Sequence, residues 1–244
     1  MKNKIMLIYW LVTLLTFVGA IVLVFTWTPV AFAMGANQKI QKIFYFHLPV
    51  AINTFLACMT VFIASIGYLS TRKTWWDDLA MAAAKVSVVL CTGVLGTGML
   101  WGHYAWNVWW TWSPRLTFSF MLWMLYVVYV LVRASIESPQ RRAVVGAVYG
   151  IVAFLDVPLV YLSVKLLPEY EPLHPKTTNL TGSISNGAMT LTLWLCFIPI
   201  TLMAVGLVLE RYKLARRQRA QRDAARHEGE EGHGFSAIAT GGGV

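Results

Sequence analysis

"KIMLIYWLVTLLTFVGAIVLVFTW", residues 4–27, carries a single charge, at its first position. A helix crosses the hydrocarbon core of a bilayer with about 20 predominantly apolar residues, and this run has that length. Five further runs follow, at roughly Pro49–Ser70, Leu79–Leu100, Leu116–Val132, Ala143–Leu167 and Gly187–Leu209. The fourth is the shortest. Across the chain 57% of residues are hydrophobic and 13% charged, with a mean hydropathy of +0.60, where soluble domains carry roughly 25% charged residues. No segment shows the alternation of apolar and polar positions over about ten residues that a membrane β-barrel needs. The expected fold is an all-α integral membrane protein with six transmembrane helices. The first run lacks a small-residue cleavage site followed by a soluble domain, so it is expected to be a retained span and not a signal peptide.

Six spans put both termini on one side, and the lysine and arginine bias identifies that side. Lys2, Lys4, Arg72, Lys73, Arg133, Arg141, Arg142, Arg211, Lys213, Arg216, Arg217, Arg219, Arg222 and Arg226 share it, against Lys39, Lys42, Arg115 and Lys176 on the other, while Lys85 and Lys165 fall inside spans. Both termini are therefore expected in the cytoplasm. A net charge of +9 could attract nucleic acid, but much of it lies in the tail just after a span, where it serves as a topology anchor drawn to anionic lipid; no nucleic-acid partner is expected. The chain divides into a six-span body over 1–210 and a basic, then disordered, cytoplasmic tail over 211–244. Cys58, Cys91 and Cys196 lie singly within spans, so neither a thiol-redox pair nor a disulfide frame is indicated. No phosphate-binding glycine loop is present.

Three segments then face outward, residues 28–48, 101–115 and 168–186, with one histidine each: His47, His103 and His174. His47 sits in "FYFHLP", before a span whose first turn can begin at Pro49, since proline suits the first helical position. His174 sits in "YEPLHPKT", between two prolines that stiffen the loop. An imidazole so placed is either an iron ligand or an interfacial histidine satisfied by water and backbone.

The segment "WGHYAWNVWWTWSPRLT", residues 101–117, holds Trp101, Trp106, Trp109, Trp110 and Trp112, five of the chain's 11 tryptophans. On one helix at 100° per residue the indoles cover half of the cylinder, leaving His103, Tyr104, Asn107 and Thr111 on the other half. Such a helix would lie flat in the membrane interface. Tryptophan belts are ordinary there; five in one loop also make a platform on which a planar π-system can stack. Ser113 before Pro114 marks the start of the fourth span, which puts Arg115 in its first turn. That guanidinium can fork onto a carboxylate or snorkel to lipid phosphate. A planar, carboxylated, iron-bearing ligand, haem, would use imidazoles, indoles and cation together.

These residues carry a resemblance. The tryptophan segment resembles the WWD signature of the haem-handling proteins of cytochrome c maturation, and most closely that of the haem exporter protein C (CcmC) family. Trp101, Gly102, Trp106, Trp109, Trp110, Trp112, Arg115, Leu116 and Thr117 follow its order and spacing, and "FYFHLP" and "DVPLVYLSV…LHP" extend the likeness over most of the chain. The signature's aspartate is Ser113 here, which removes a negative charge from the rim. The resemblance implies a non-enzymatic subunit of the bacterial inner membrane that holds haem b as transient cargo at the outer face, with His47 and His174 as axial ligands and the tryptophans at the porphyrin edge. It further implies delivery to a periplasmic haem chaperone. ABC-type transporter subunits, which would hydrolyse the ATP, and a small membrane subunit complete the expected complex. His103 stands where the family's pattern has no histidine and is not counted as a ligand.

Two rival functions remain on the sequence. A b-type cytochrome would hold haem by histidines inside spans, and this chain has none there. A permease subunit moving haem or another substrate across the bilayer would draw on Lys85 and Asp156, charged residues within the third and fifth spans. Trp75, Trp76, Asp77 and Asp78 form a corner on the cytoplasmic side that either touches the transporter or, as expected here, anchors the interface.

Overall fold

A computed structural model describes residues 2–29, 40–167 and 187–240. Within them the chain is helical: α1 (Lys2–Thr26), α2 (Phe44–Thr71), α3 (Thr74–Trp106), α4 (Pro114–Ser135), α5 (Pro139–Phe154), α6 (Asp156–Leu166) and α7 (Gly187–Thr240). Six stretches are long and apolar enough to cross a membrane, α5 and most of α6 together forming the fifth. The expected all-α, six-span fold is the fold observed.

Helices α2, α3 and α4 outrun their apolar runs at both ends, because indoles and charges at the interface continue a helix that hydropathy alone would stop. The fifth run is two helices. Pro158 has no N–H to give the carbonyl of Phe154, so the backbone ladder breaks where α5 ends, and Leu155 forms a turn between the two segments. The second span begins earlier than expected. A 3₁₀ turn over residues 40–43 leads directly into α2 at Phe44, so Pro49 lies inside the helix and His47 on it, not ahead of it.

Lipid tails are as apolar as leucine, so helix association in a bilayer relies on close packing more than on burial from water. Small residues supply it here. Ala80, Ala83 and Ala84 of α3 pack with Cys58, Val61 and Ala64 of α2, and with Leu122, Tyr126 and Tyr129 of α4. Gly150 of α5 rests so near α2 that a Cβ there would stand 2.7 Å from Ser65 Oγ and 3.0 Å from Val61. Helix α2 touches α3, α5 and α7, while α1 leans on α7 and leaves most of its length facing outward. The Tyr9 hydroxyl donates to the carbonyl of Leu202, and Thr28 and Thr192 share a hydrogen bond of 2.9 Å. Helices α1 and α7 are thus antiparallel, and the start of α1 lies at the same end of the bundle as the basic part of α7.

That terminal end is tied by charge. Asp77, in the first turn of α3, and Asp78 after it are buried (4% and 6% exposed). Arg133 from the last turn of α4 reaches Asp77 at 2.6 Å. Arg219 of α7 reaches Asp77 at 2.9 Å and Asp78 at 2.7 Å. The corner is a buried ion cluster joining three helices, a correction to its reading as an interfacial anchor. Trp75 and Trp76 stack beside it, with ring centroids 3.7 Å apart.

Candidate functional site

At the opposite end the tryptophan segment does not form one flat helix. Helix α3 carries Trp101 and Trp106 and stops there, because Asn107 takes a left-handed conformation (φ 58°) and its N–H closes on the carbonyl of His103 at 2.8 Å. Asparagine enters that region more readily than other side-chain-bearing residues. Residues 107–113 are non-helical and fold back over the end of α3. The carbonyl of Val108 comes within 3.2 Å of where a Cβ on Gly102 would sit, and Trp109 stacks on His103 with centroids 4.0 Å apart and planes within 8°. The wheel drawn across residues 101–112 therefore fails. Its 3.6-residue period ends at Asn107.

The fold-back closes a cleft instead. Its walls come from α3 (Val94, Leu95, Gly98, Met99, Trp101, Gly102, Trp106), from the strap (Val108, Trp109, Trp110, Thr111, Ser113), from α4 (Arg115, Leu116, Ser119) and from α2 (His47). Trp101 and Trp106 meet edge to face at 4.7 Å. Ser113 holds the position before α4 in extended geometry and Pro114 is the first helical residue, as expected, although the Ser113 side chain makes no cap hydrogen bond. Arg115 then follows in the first turn of α4, where the helix dipole adds to its positive charge.

Of the residues singled out from sequence, six come together on this cleft: His47, Trp101, Trp106, Trp109, Trp110 and Arg115. Trp112 does not line it. Its indole is 73% exposed and meets Trp110 and Phe120 edge-on. His174 lies outside the described residues. Lys85 and Asp156 form no ion pair with each other among the described residues; Asp156 is 4% exposed, with both carboxylate oxygens lacking a hydrogen-bond partner there.

Thr97 and Gly98 were not singled out from sequence. Thr97 Oγ1 lies 2.8 Å from His47 Nδ1. A Cβ on Gly98 would stand 3.4 Å from His47 Cε1, so the glycine keeps the space beside the imidazole clear. The signal was present in "GVLGTGMLWG", residues 93–102, where glycines four apart (Gly98, Gly102) lie on one helical face.

A family model described as "Heme exporter protein C" (CcmC) matches residues 1–227. The chain belongs to this family. Heme exporter protein C of Rhodobacter capsulatus is 33% identical over 156 residues, covering 60% of this chain and 63% of the relative. That of Bradyrhizobium diazoefficiens is 29% identical over 183 residues, 74% of this chain and 67% of the relative. The cytochrome c biogenesis protein CcsA of Prochlorococcus marinus (strain MIT 9215) is 36% identical over 91 residues, 37% of this chain and 28% of the relative. The chain thus spans about two thirds or less of the length of these curated relatives.

The cleft suits the cargo in the family's name on its own chemistry. Four indoles line a slot for a flat aromatic body. One imidazole stands in its wall with no Cβ opposite. Arg115 supplies a cation, and no carboxylate is among the described lining residues. The indole N–H of Trp110 is buried without a hydrogen-bond partner among the described residues, which leaves a donor for an acceptor on the bound molecule.

Proposed function

We propose that this protein takes part in cytochrome c maturation by holding haem b in the cleft and passing it to a periplasmic haem chaperone. The observation that carries the reading is the meeting of His47, four tryptophans and Arg115 on one cleft from three helices and a strap. His47 would be one axial ligand and His174, from the segment before α7, the other. Trp101, Trp106, Trp109 and Trp110 would cover the porphyrin, with Trp112 exposed beside them toward the partner. Arg115 would meet a propionate, a charge-assisted pairing that Arg geometry favours.

The bias of basic residues toward the terminal end supports an inner-membrane topology with both termini in the cytoplasm and the cleft facing the periplasm. Residues 1–210 then form the haem-handling body, and the segment from Arg211 onward a basic cytoplasmic tail. The family's name supports assembly with transporter subunits; those ABC-type partners, not this chain, would hydrolyse ATP, and a small membrane subunit would join them. The permease alternative has no comparable support: its two charged residues are not joined to each other, and Asp156 is enclosed in the bundle.

The test is the absorption spectrum of the full chain purified after co-expression with a haem chaperone, as wild type, His47→Ala and His174→Ala. A low-spin bis-histidine spectrum that is lost or altered in both variants is expected. A wild type without haem, or variants with unchanged spectra, would remove the ligand assignment.

A further inference from the structure

Thr97 stands on α3, and the polar neighbours of its hydroxyl beyond its own residue are two backbone carbonyls and one imidazole nitrogen. The nearer carbonyl is that of Gly93, a turn earlier, at 2.7 Å, and the imidazole nitrogen is His47 Nδ1 on α2, at 2.8 Å. A hydroxyl has one proton to give. The carbonyl can only accept, so the proton goes to Gly93, and Val94 O at 3.2 Å offers a longer second acceptor in the same direction of donation. What Thr97 presents to His47 is then an oxygen lone pair. A neutral imidazole carries one N–H, and the hydrogen bond made by one ring nitrogen decides the state of the other.

We infer that Thr97 is a positioning residue that fixes His47 in the tautomer protonated at Nδ1, leaving the Nε2 lone pair for the metal of the cargo. The use made of that lone pair rests on the haem reading of the cleft; the tautomer does not. The same bond sets the rotation of the ring, because Nδ1 is held to α3 while Gly98, the next residue, leaves the Cε1 edge clear at 3.4 Å. Had the hydroxyl donated to Nδ1 instead, the proton would sit on Nε2, and the nitrogen left for the cleft would be a donor that cannot bind iron.

The experiment uses the full chain in lipid nanodiscs, haem-free and haem-loaded, as wild type, Thr97→Val and Thr97→Ser. Histidine ¹⁵N spectra of the haem-free wild type, with His47 assigned by its loss in His47→Ala, are expected to show Nδ1 protonated and Nε2 bare. Thr97→Ser should keep that signature, and Thr97→Val should lose it. Haem affinity should fall about 10–100-fold in Thr97→Val, the range typical when a ligand histidine loses its outer partner, and recover in Thr97→Ser. A proton on Nε2 in the wild type overturns the inference, and so does a Thr97→Val protein with unchanged haem affinity and spectrum. Should Thr97→Val fail to fold, the wild-type and Thr97→Ser spectra still decide. If haem binding proves independent of His47, the proposed function fails, while the haem-free spectra report on the tautomer separately.

Discussion

Two neighbouring aspartates should differ sharply in what they contribute. Asp77 faces Arg133 at 2.6 Å with both side chains nearly sealed from solvent (5% and 4% exposed). The further support for Arg133 is the Tyr129 hydroxyl at 3.4 Å and the Tyr129 ring under the guanidinium. Asp77→Asn would therefore leave a buried cation without its counter-charge, a change that costs about 3–5 kcal/mol. Asp78 pairs with Arg219, whose side chain is 25% exposed and also holds Asp77. In Asp78→Asn, Arg219 keeps that second partner and its water, and the loss should be about 1 kcal/mol or less. For a chain of this size each kcal/mol moves the thermal midpoint by about 2–4 °C. Asp77→Asn should then lower it by roughly 6–20 °C and Asp78→Asn by about 4 °C or less. Near-ultraviolet circular dichroism of the purified protein in a mild detergent reads both. The double variant Asp77→Leu, Arg133→Met removes both buried charges together and should recover most of the loss. Two single variants that melt alike, or a double variant no better than Asp77→Asn, would show that the buried Asp77–Arg133 pair does not carry this difference.

Gly98→Leu should push a side chain into the space beside His47 Cε1 and cut haem retention at least tenfold, with an unchanged melting midpoint; retention equal to wild type would show that the cleft floor is not used. Asp156→Asn removes an unpartnered buried carboxylate and should leave the protein as stable or more stable by about 1–2 kcal/mol, with haem loading intact. Loss of haem delivery at normal stability would instead favour the permease reading.

The spans were legible because length and apolarity alone decide whether a helix can cross a bilayer, and each apolar run ends within a helix, or within the α5–α6 pair, or one residue beyond it. Their ends were less so, since Trp75–Asp78 and Trp101–Trp106 are helical yet polar or amphipathic. Pro158 marked the α5–α6 break, but hydropathy passes over it. The cleft was half legible: its residue types were evident, and their arrangement was not, because one left-handed residue, Asn107, ends the period on which the wheel relied. Asp77 and Asp78 were misjudged for a different reason. Their partners come from the end of α4 and from α7, and nothing local to "TWWDD" reveals a guanidinium arriving from 142 residues away. Thr97 illustrates the same limit, as a threonine in a glycine-rich turn becomes informative only when α2 places an imidazole against it.

Whether His47 binds the iron of the cargo in this cleft is decided by chemical rescue. His47→Gly should be purified with and without added imidazole and its haem spectrum compared with wild type. The expected result is a depleted or high-spin spectrum that free imidazole returns toward the low-spin wild-type form, because the vacated side chain leaves room for the small molecule beside Gly98. A His47→Gly protein with the wild-type spectrum before any imidazole is added would contradict it.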